Sequence, residues 1–76
     1  MKYRLGSITI EAVGTFVRIN HAALNKTQVT KKEFPTSAEV ADMLSGIQGY
    51  YPNSTQLQAC GRAADDARNN ETVLAI

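Results

Sequence analysis

At Phe34-Pro35-Thr36 the chain changes both its periodicity and the sign of its charge. Upstream, the β-branched runs Ile8-Thr9-Ile10 and Thr15-Phe16-Val17-Arg18-Ile19 stand among Lys2, Arg4, Arg18, Lys26, Lys31 and Lys32, opposed by Glu11 and Glu33. Downstream, two helical periodicities carry Glu39, Asp42, Asp65, Asp66 and Glu71 against Arg62 and Arg68. A basic sheet followed by an acidic helical layer is the arrangement this pattern predicts. The fold class is α+β: one domain over residues 1–76, with a three- or four-stranded antiparallel sheet and two helices packed on one of its faces.

The 76 residues allow a single small core, so stability is expected to be modest and a partner or a dimer can contribute to it. A formal net charge of +1 with 43% hydrophobic and 20% charged residues describes a globular domain rather than a disordered or nucleic-acid-wrapping tail. One cysteine, Cys60, excludes an intramolecular disulfide framework and a multi-cysteine metal site, and points to a reducing compartment. Met1-Lys2-Tyr3-Arg4-Leu5-Gly6-Ser7 lacks the apolar run of a signal peptide, and no stretch approaches the ~18 apolar residues of a membrane helix. The expected location is the cytoplasm. Asn25, Asn53 and Asn70, although each begins an Asn-x-Ser/Thr triplet, are therefore assigned to turns and caps.

The first strand is expected over roughly Lys2 to Glu11. Tyr3 and Leu5 have one parity and Ile8 and Ile10 the other, so a bulge at Gly6-Ser7 is predicted to restore one apolar face. After a turn near Ala12-Val13-Gly14, a second strand from Thr15 to about Ala22 points Val17, Ile19 and His21 one way and Phe16, Arg18 and Asn20 the other. A hairpin turn at Leu24-Asn25-Lys26 leads to a third strand, Thr27 to Phe34, whose Lys31 and Lys32 mark it as a sheet edge.

Thr36 three residues before Glu39 forms a capping-box pattern, and Val40, Met43, Leu44 and Ile47 follow at helical spacing. This helix is predicted from Ser37 to about Ser45, with Gly46 as its stop. Beyond the linker Gln48-Gly49-Tyr50-Tyr51-Pro52, Asn53 and Gln56 repeat the start signal for a second helix, Ser54 to Arg68, with Leu57, Cys60, Gly61 and Ala64 facing inward. Gly61 reads as a concession to close packing, Asn69-Asn70 as the helix end, and Thr72 to Ile76 as a final strand or a segment along the core.

No pattern in the chain carries a known catalytic chemistry. His21 has no local acid or ligand beside it and shares parity with core residues, so it reads as structural. Cys60 lies mid-helix on the buried stripe and reads as a core thiol. Asp65 and Asp66 diverge by about 100° on a helix and lack an EF-hand loop, so they read as surface charge. Phosphate-cradling glycine loops, nucleophile elbows and zinc spacings are missing from the sequence. The expectation is a protein that is not an enzyme and uses no cofactor or metal.

Two groups remain as candidates for recognition. Tyr50 and Tyr51, bounded by Gly49 and Pro52, have the character of interface anchors, which bury large area at low entropic cost. Arg4, Arg18, Lys31 and Lys32 with Tyr3 form a basic strand group suited to a partner's carboxylates or to phosphates.

The order of antiparallel strands, then Glu33-Phe34-Pro35-Thr36-Ser37-Ala38-Glu39 opening a short helix, a glycine-containing linker and a polar helix bearing Arg62, resembles small phage-encoded anti-CRISPR proteins, especially inhibitors of type I surveillance complexes. The resemblance implies a non-enzymatic inhibitor that binds an RNA-guided protein complex stoichiometrically and blocks its pairing with target DNA. With five acidic side chains after Pro35, partly balanced by Arg62 and Arg68, the chain departs from a DNA mimic. The sequence therefore leads to a small binding protein acting through protein contacts, as monomer or homodimer. The alternatives are a nucleic-acid-binding module using the basic strand face and a dimeric structural or assembly subunit.

Overall fold

The computed structural model describes residues 1–74, with side chains through residue 70. Among these residues the order is β1 (Lys2–Leu5), β2 (Ile8–Val13), β3 (Phe16–His21), β4 (Lys26–Val29), α1 (Ser37–Gln48) and α2 (Ser54–Leu74). The strands form one antiparallel meander in sequence order, and both helices pack on the same face, α2 across β1, β2 and β3 and α1 beside it over β3. This is the expected α+β arrangement.

The predicted bulge at Gly6-Ser7 is instead a hairpin turn. Leu5 pairs with Ile8 and Tyr3 with Ile10, and directly opposed residues of an antiparallel pair share a face. The change of parity is thus the arithmetic of a two-residue turn. The next hairpin repeats it, with Val13 paired to Phe16 around Gly14-Thr15. Gly6 and Gly14 each occupy the first central position with φ of 63°, where glycine has no steric penalty and II′-type hairpin turns require it. Leu5, Ile8, Ile10, Val17, Ile19 and His21 consequently face the helices.

After His21, a 3₁₀ turn at Ala22–Leu24 closes on left-handed Asn25, φ 52°, and delivers the chain to β4. β4 is an edge strand, as expected, but it ends at Val29 rather than Phe34, so Lys31 and Lys32, which suggested the edge, lie beyond it. Thr30 still donates its N–H to Val17 O at 2.9 Å; beyond it the chain leaves the ladder and curls back until the Phe34 N–H reaches Thr15 O at 2.8 Å. Phe34 adopts φ 53°, an uncommon conformation for an aromatic residue, and this reversal turns the backbone into buried Pro35 and the start of α1. The break that organises the sequence is a sharp corner in space.

The capping box of α1 is complete: Thr36 Oγ1 accepts from the Glu39 N–H at 3.1 Å, and Glu39 Oε1 accepts from the Thr36 N–H at 2.9 Å. α1 continues through Gly46 to Gln48, where Gly49 in the left-handed region, φ 87°, supplies the terminating cap. Glycine inside a helix costs only about 1 kcal/mol, less than the packing of Ile47 in the following turn returns. α2 likewise runs through Asn69-Asn70, since Ala67 is buried against the sheet and Asn70 Nδ2 donates to Gly14 O at the β2–β3 turn. The predicted final strand is thus replaced by helix over 72–74, and Ala75 and Ile76 lie outside the described residues.

Val40, Ala41, Leu44 and Ile47 of α1 meet Ile8, Ile10, Val17 and Ile19 of the sheet in a single core. The inward stripe of α2 is rotated from the expected one: Ala59, Cys60, Ala63, Ala64 and Ala67 are buried, whereas Leu57 and Gly61 are only partly covered. A Cβ built on Gly61 would meet nothing closer than Ser37 Cβ at 3.9 Å, an ordinary contact, so glycine is not demanded by packing there. Gly61→Ala is therefore expected to stabilise the protein by up to about 1 kcal/mol, raising Tm by roughly 4–8 °C. Leu44→Ala, which opens a cavity in the fully buried core, should cost about 2–5 kcal/mol. Thermal melts of the two variants check both the helix register and the inward faces.

Candidate functional site

Tyr50 and Tyr51 project from the linker between the helices with relative exposures of 59% and 64%. The backbone beneath them is held from both sides. The Gly49 N–H donates to Ser45 O at 2.9 Å, and Gln48 Nε2 donates to Tyr50 O at 3.1 Å. At the far end Pro52 is buried, and Asn53 and Gln56 close a reciprocal cap: Gln56 N–H to Asn53 Oδ1 at 2.9 Å and Asn53 N–H to Gln56 Oε1 at 3.0 Å. The two ends are tied together by a paired-amide clasp, in which Gln48 Nε2 donates to Gln56 Oε1 at 3.2 Å and Gln56 Nε2 to Gln48 Oε1 at 3.1 Å.

Gln56 is only 6% exposed, so its amide is spent entirely on this linker. A buried amide that completes its hydrogen bonds fixes one geometry, because leaving any member unpaired would cost about 1–3 kcal/mol. The cap pattern Asn53/Gln56 is legible in sequence. The clasp to Gln48 is not, since it depends on how the two helices meet.

The basic strand group divides into three places. Arg4 and Arg18 lie on the outer face of the sheet, away from the helices, and with Lys2, Thr9, Asn20 and Thr27 border a shallow polar depression. Tyr3 is on the opposite face, paired with Ile10, and its hydroxyl donates to Asp66 Oδ2 at 2.7 Å across to α2. That bond to a carboxylate, with lesser desolvation, raises the Tyr3 phenol above its usual pKa. Lys31 and Lys32 sit beyond the end of β4, beside α1. Sequence adjacency along the strands grouped these residues; alternation across the pleat separates them.

Even on the outer face the charge is reduced. Arg18 binds Glu11 Oε1 through Nη2 and through Nε at 3.1 Å, and this bond holds the Glu11 carboxyl below its ordinary pKa, chiefly by hydrogen bonding and secondarily by charge. Glu11 lies between Lys2 and Arg18 in one cross-strand row, and the Lys2 and Arg4 side chains form no ion pair among the described residues. Lys32 Nζ approaches Glu39 Oε1 at 3.5 Å, and Glu39 titrates low mainly because the Thr36 N–H donates to it.

Burial pushes the Cys60 thiol up to about 11, which keeps it protonated and unreactive near neutrality. His21 is buried at the end of β3, and its Nδ1 has no hydrogen-bond partner among the described residues. Asp65 pairs with Arg68 at 3.5 Å while Asp66 serves Tyr3, so the acidic pair of the sequence points in two directions. Among the described residues no three His, Cys, Asp or Glu side chains come together as a metal site, and no helix is long and apolar enough to cross a membrane.

No family model matches this chain, and no curated protein or solved structure matches it either. The tyrosine loop is thus defined by its own geometry: two exposed aromatic rings on a backbone clamped at both ends. Gln56→Ala removes one half of the cap and one half of the clasp, and should cost about 1–2 kcal/mol of stability. It should also shift the Tyr50 and Tyr51 amide resonances and speed their hydrogen exchange, which NMR on the variant checks.

Proposed function

We propose that this chain is a small non-enzymatic binding protein that recognises a protein partner through Tyr50 and Tyr51. The observation that carries the reading is the combination of 59% and 64% exposure with a clamped loop. A backbone held in place before binding loses little conformational freedom on docking, while each tyrosine contributes large apolar area and a polar tip. A covering role for these rings would have placed at least one of them on the thin second helix, and both face outward instead.

The resemblance to small phage-encoded inhibitors supplies the partner class: an RNA-guided type I surveillance complex, bound stoichiometrically in the host cytoplasm so that target DNA is excluded. The second reading, a nucleic-acid-binding module, draws on Lys2, Arg4 and Arg18 sharing the outer sheet face. It is disfavoured by the Arg18–Glu11 bond and by the withdrawal of Tyr3, the ring that would have stacked on bases, to the other face. An assembly subunit built on a dimer is the third reading.

The test titrates the purified protein into reconstituted type I surveillance complexes and measures target-DNA binding. Inhibition saturating at a fixed stoichiometry is expected, with Tyr50→Ala or Tyr51→Ala weakening it by about 2–4 kcal/mol, since central aromatic anchors commonly carry that much. The melting curve of either variant should stay within about 0.5 kcal/mol of the parent. Absence of binding to any such complex rejects the partner class. Full retention of partner by both stable variants rejects the tyrosine loop. Submicromolar, steeply salt-dependent binding to oligonucleotides supports the second reading instead.

A further inference from the structure

β4 is the last strand of the sheet on its side, and all four of its residues, Lys26–Val29, are exposed. Its open edge has a definite hydrogen-bonding register. Thr30 donates to Val17 O, so the 17/30 position is a hydrogen-bonded pair of the β3–β4 ladder. Such pairs alternate along an antiparallel ladder, and the register places Gln28 opposite Ile19 and Lys26 opposite His21 at the next bonded positions. The N–H and C=O groups of Thr27 and Val29 therefore point away from β3, and none of them has a partner among the described residues.

Neither helix covers this strand, since α1 lies over β3. A groove of roughly 320 Å³ is left between β4 and α1, walled by Gln28, Val29 and Thr30 on one side and by Pro35, Glu39 and Met43 on the other. Met43, at helical spacing with buried Val40, Leu44 and Ile47, is only partly covered and lines this groove. Lys31 and Lys32 line the groove beyond the strand, and Lys26 begins β4. Lys26 and Lys31 enter no ion pair among the described residues, and Lys32 shares Glu39 with the Thr36 cap.

We infer that the open edge of β4, with the groove beside α1, accepts an extended acidic peptide segment of a partner protein as a fifth strand. Main-chain bonds to Thr27 and Val29 supply affinity, one apolar side chain enters the groove against Pro35 and Met43, and carboxylates meet Lys26, Lys31 and Lys32. The same lysines decide between occupants. A second copy of this chain pairing edge to edge would bring its own lysines against them, which like charge opposes, whereas an acidic strand turns the barrier into attraction. This surface is independent of the tyrosine loop: it begins at the N-terminal end of α1, and the tyrosines follow the C-terminal end about 18 Å away.

The test uses a fluorescein-labelled hexapeptide, Asp-Val-Glu-Val-Asp-Ile, and its counterpart with lysine at each acidic position, in anisotropy titrations and ¹⁵N-¹H NMR. The acidic peptide is expected to bind, to shift the Thr27, Val29 and Lys31 amides, and to slow hydrogen exchange at Thr27 and Val29. Val29→Pro removes an edge donor without touching the bonds to β3, and should weaken binding about tenfold. If that variant melts early, the parent protein with a peptide N-methylated at alternate residues reports the same loss. Lys31→Glu with Lys32→Glu should exchange the preference between the two peptides, and Tyr50→Ala should leave both affinities unchanged. No binding at about 1 mM peptide, equal binding of the lysine peptide, shifts confined to the outer sheet face, or concentration-dependent dimerisation through β4 would each overturn the inference.

Discussion

The close approach of α2 to the sheet is the constraint on which the rest of the structure depends. Ala59, Cys60, Ala63, Ala64 and Ala67 present a nearly flat buried surface, so the bulk that fills the core must come from elsewhere. Ile8, Ile10, Val17 and Ile19 provide it from the sheet and Val40, Leu44 and Ile47 from α1. A small-residue stripe buries little area per turn, which is why this long helix is also held by polar bonds at its flanks. Tyr3 to Asp66 and Asn70 to Gly14 tie it to the β1 edge and to the β2–β3 turn.

That division of labour shapes the surfaces. Because α2 lies over β1 to β3 and α1 fits beside it, the two helices run out of width before β4, and the edge strand keeps an open side and an uncovered groove. The corner at Phe34-Pro35 then returns the chain from the sheet to the helical layer in a few residues. At the opposite end of α1 the same two helices must be joined, and the Gln48–Gln56 clasp holds the joint while the tyrosines project from it. One shortage of helical cover and one tight connection thus create the open groove beside β4 and the exposed tyrosine loop.

Much of this was legible in the chain. The Thr36/Glu39 and Asn53/Gln56 boxes, the faces of β3, the edge position of the last strand and the exposure of the tyrosines all follow from local chemistry or simple periodicity. The misjudged points share one cause, the treatment of a local signal as final. Gly46 and Asn69-Asn70 resemble helix ends, yet the tertiary contacts of Ile47, Ala67 and Asn70 outweigh penalties of about 1 kcal/mol or less per residue. Gly6-Ser7 resembles a bulge because one strand alone cannot reveal its partner. The same parity shift arises when the chain reverses, and only the pairing of Leu5 with Ile8 distinguishes the two.

By itself the sequence determined the α+β class, the order of strands before helices, the capped helix starts and the two faces of β3, because these rest on interactions within a few residues. Tertiary structure alone decided which of those faces came together. It put Tyr3 against Asp66 and away from Arg4, neutralised Arg18 with Glu11 across the pleat, carried Lys31 and Lys32 off to the β4 groove, and rotated the α2 stripe toward its alanines. Each outcome depends on the relative placement of elements distant in the chain, and that placement is set by how closely a helix of small side chains can approach the sheet.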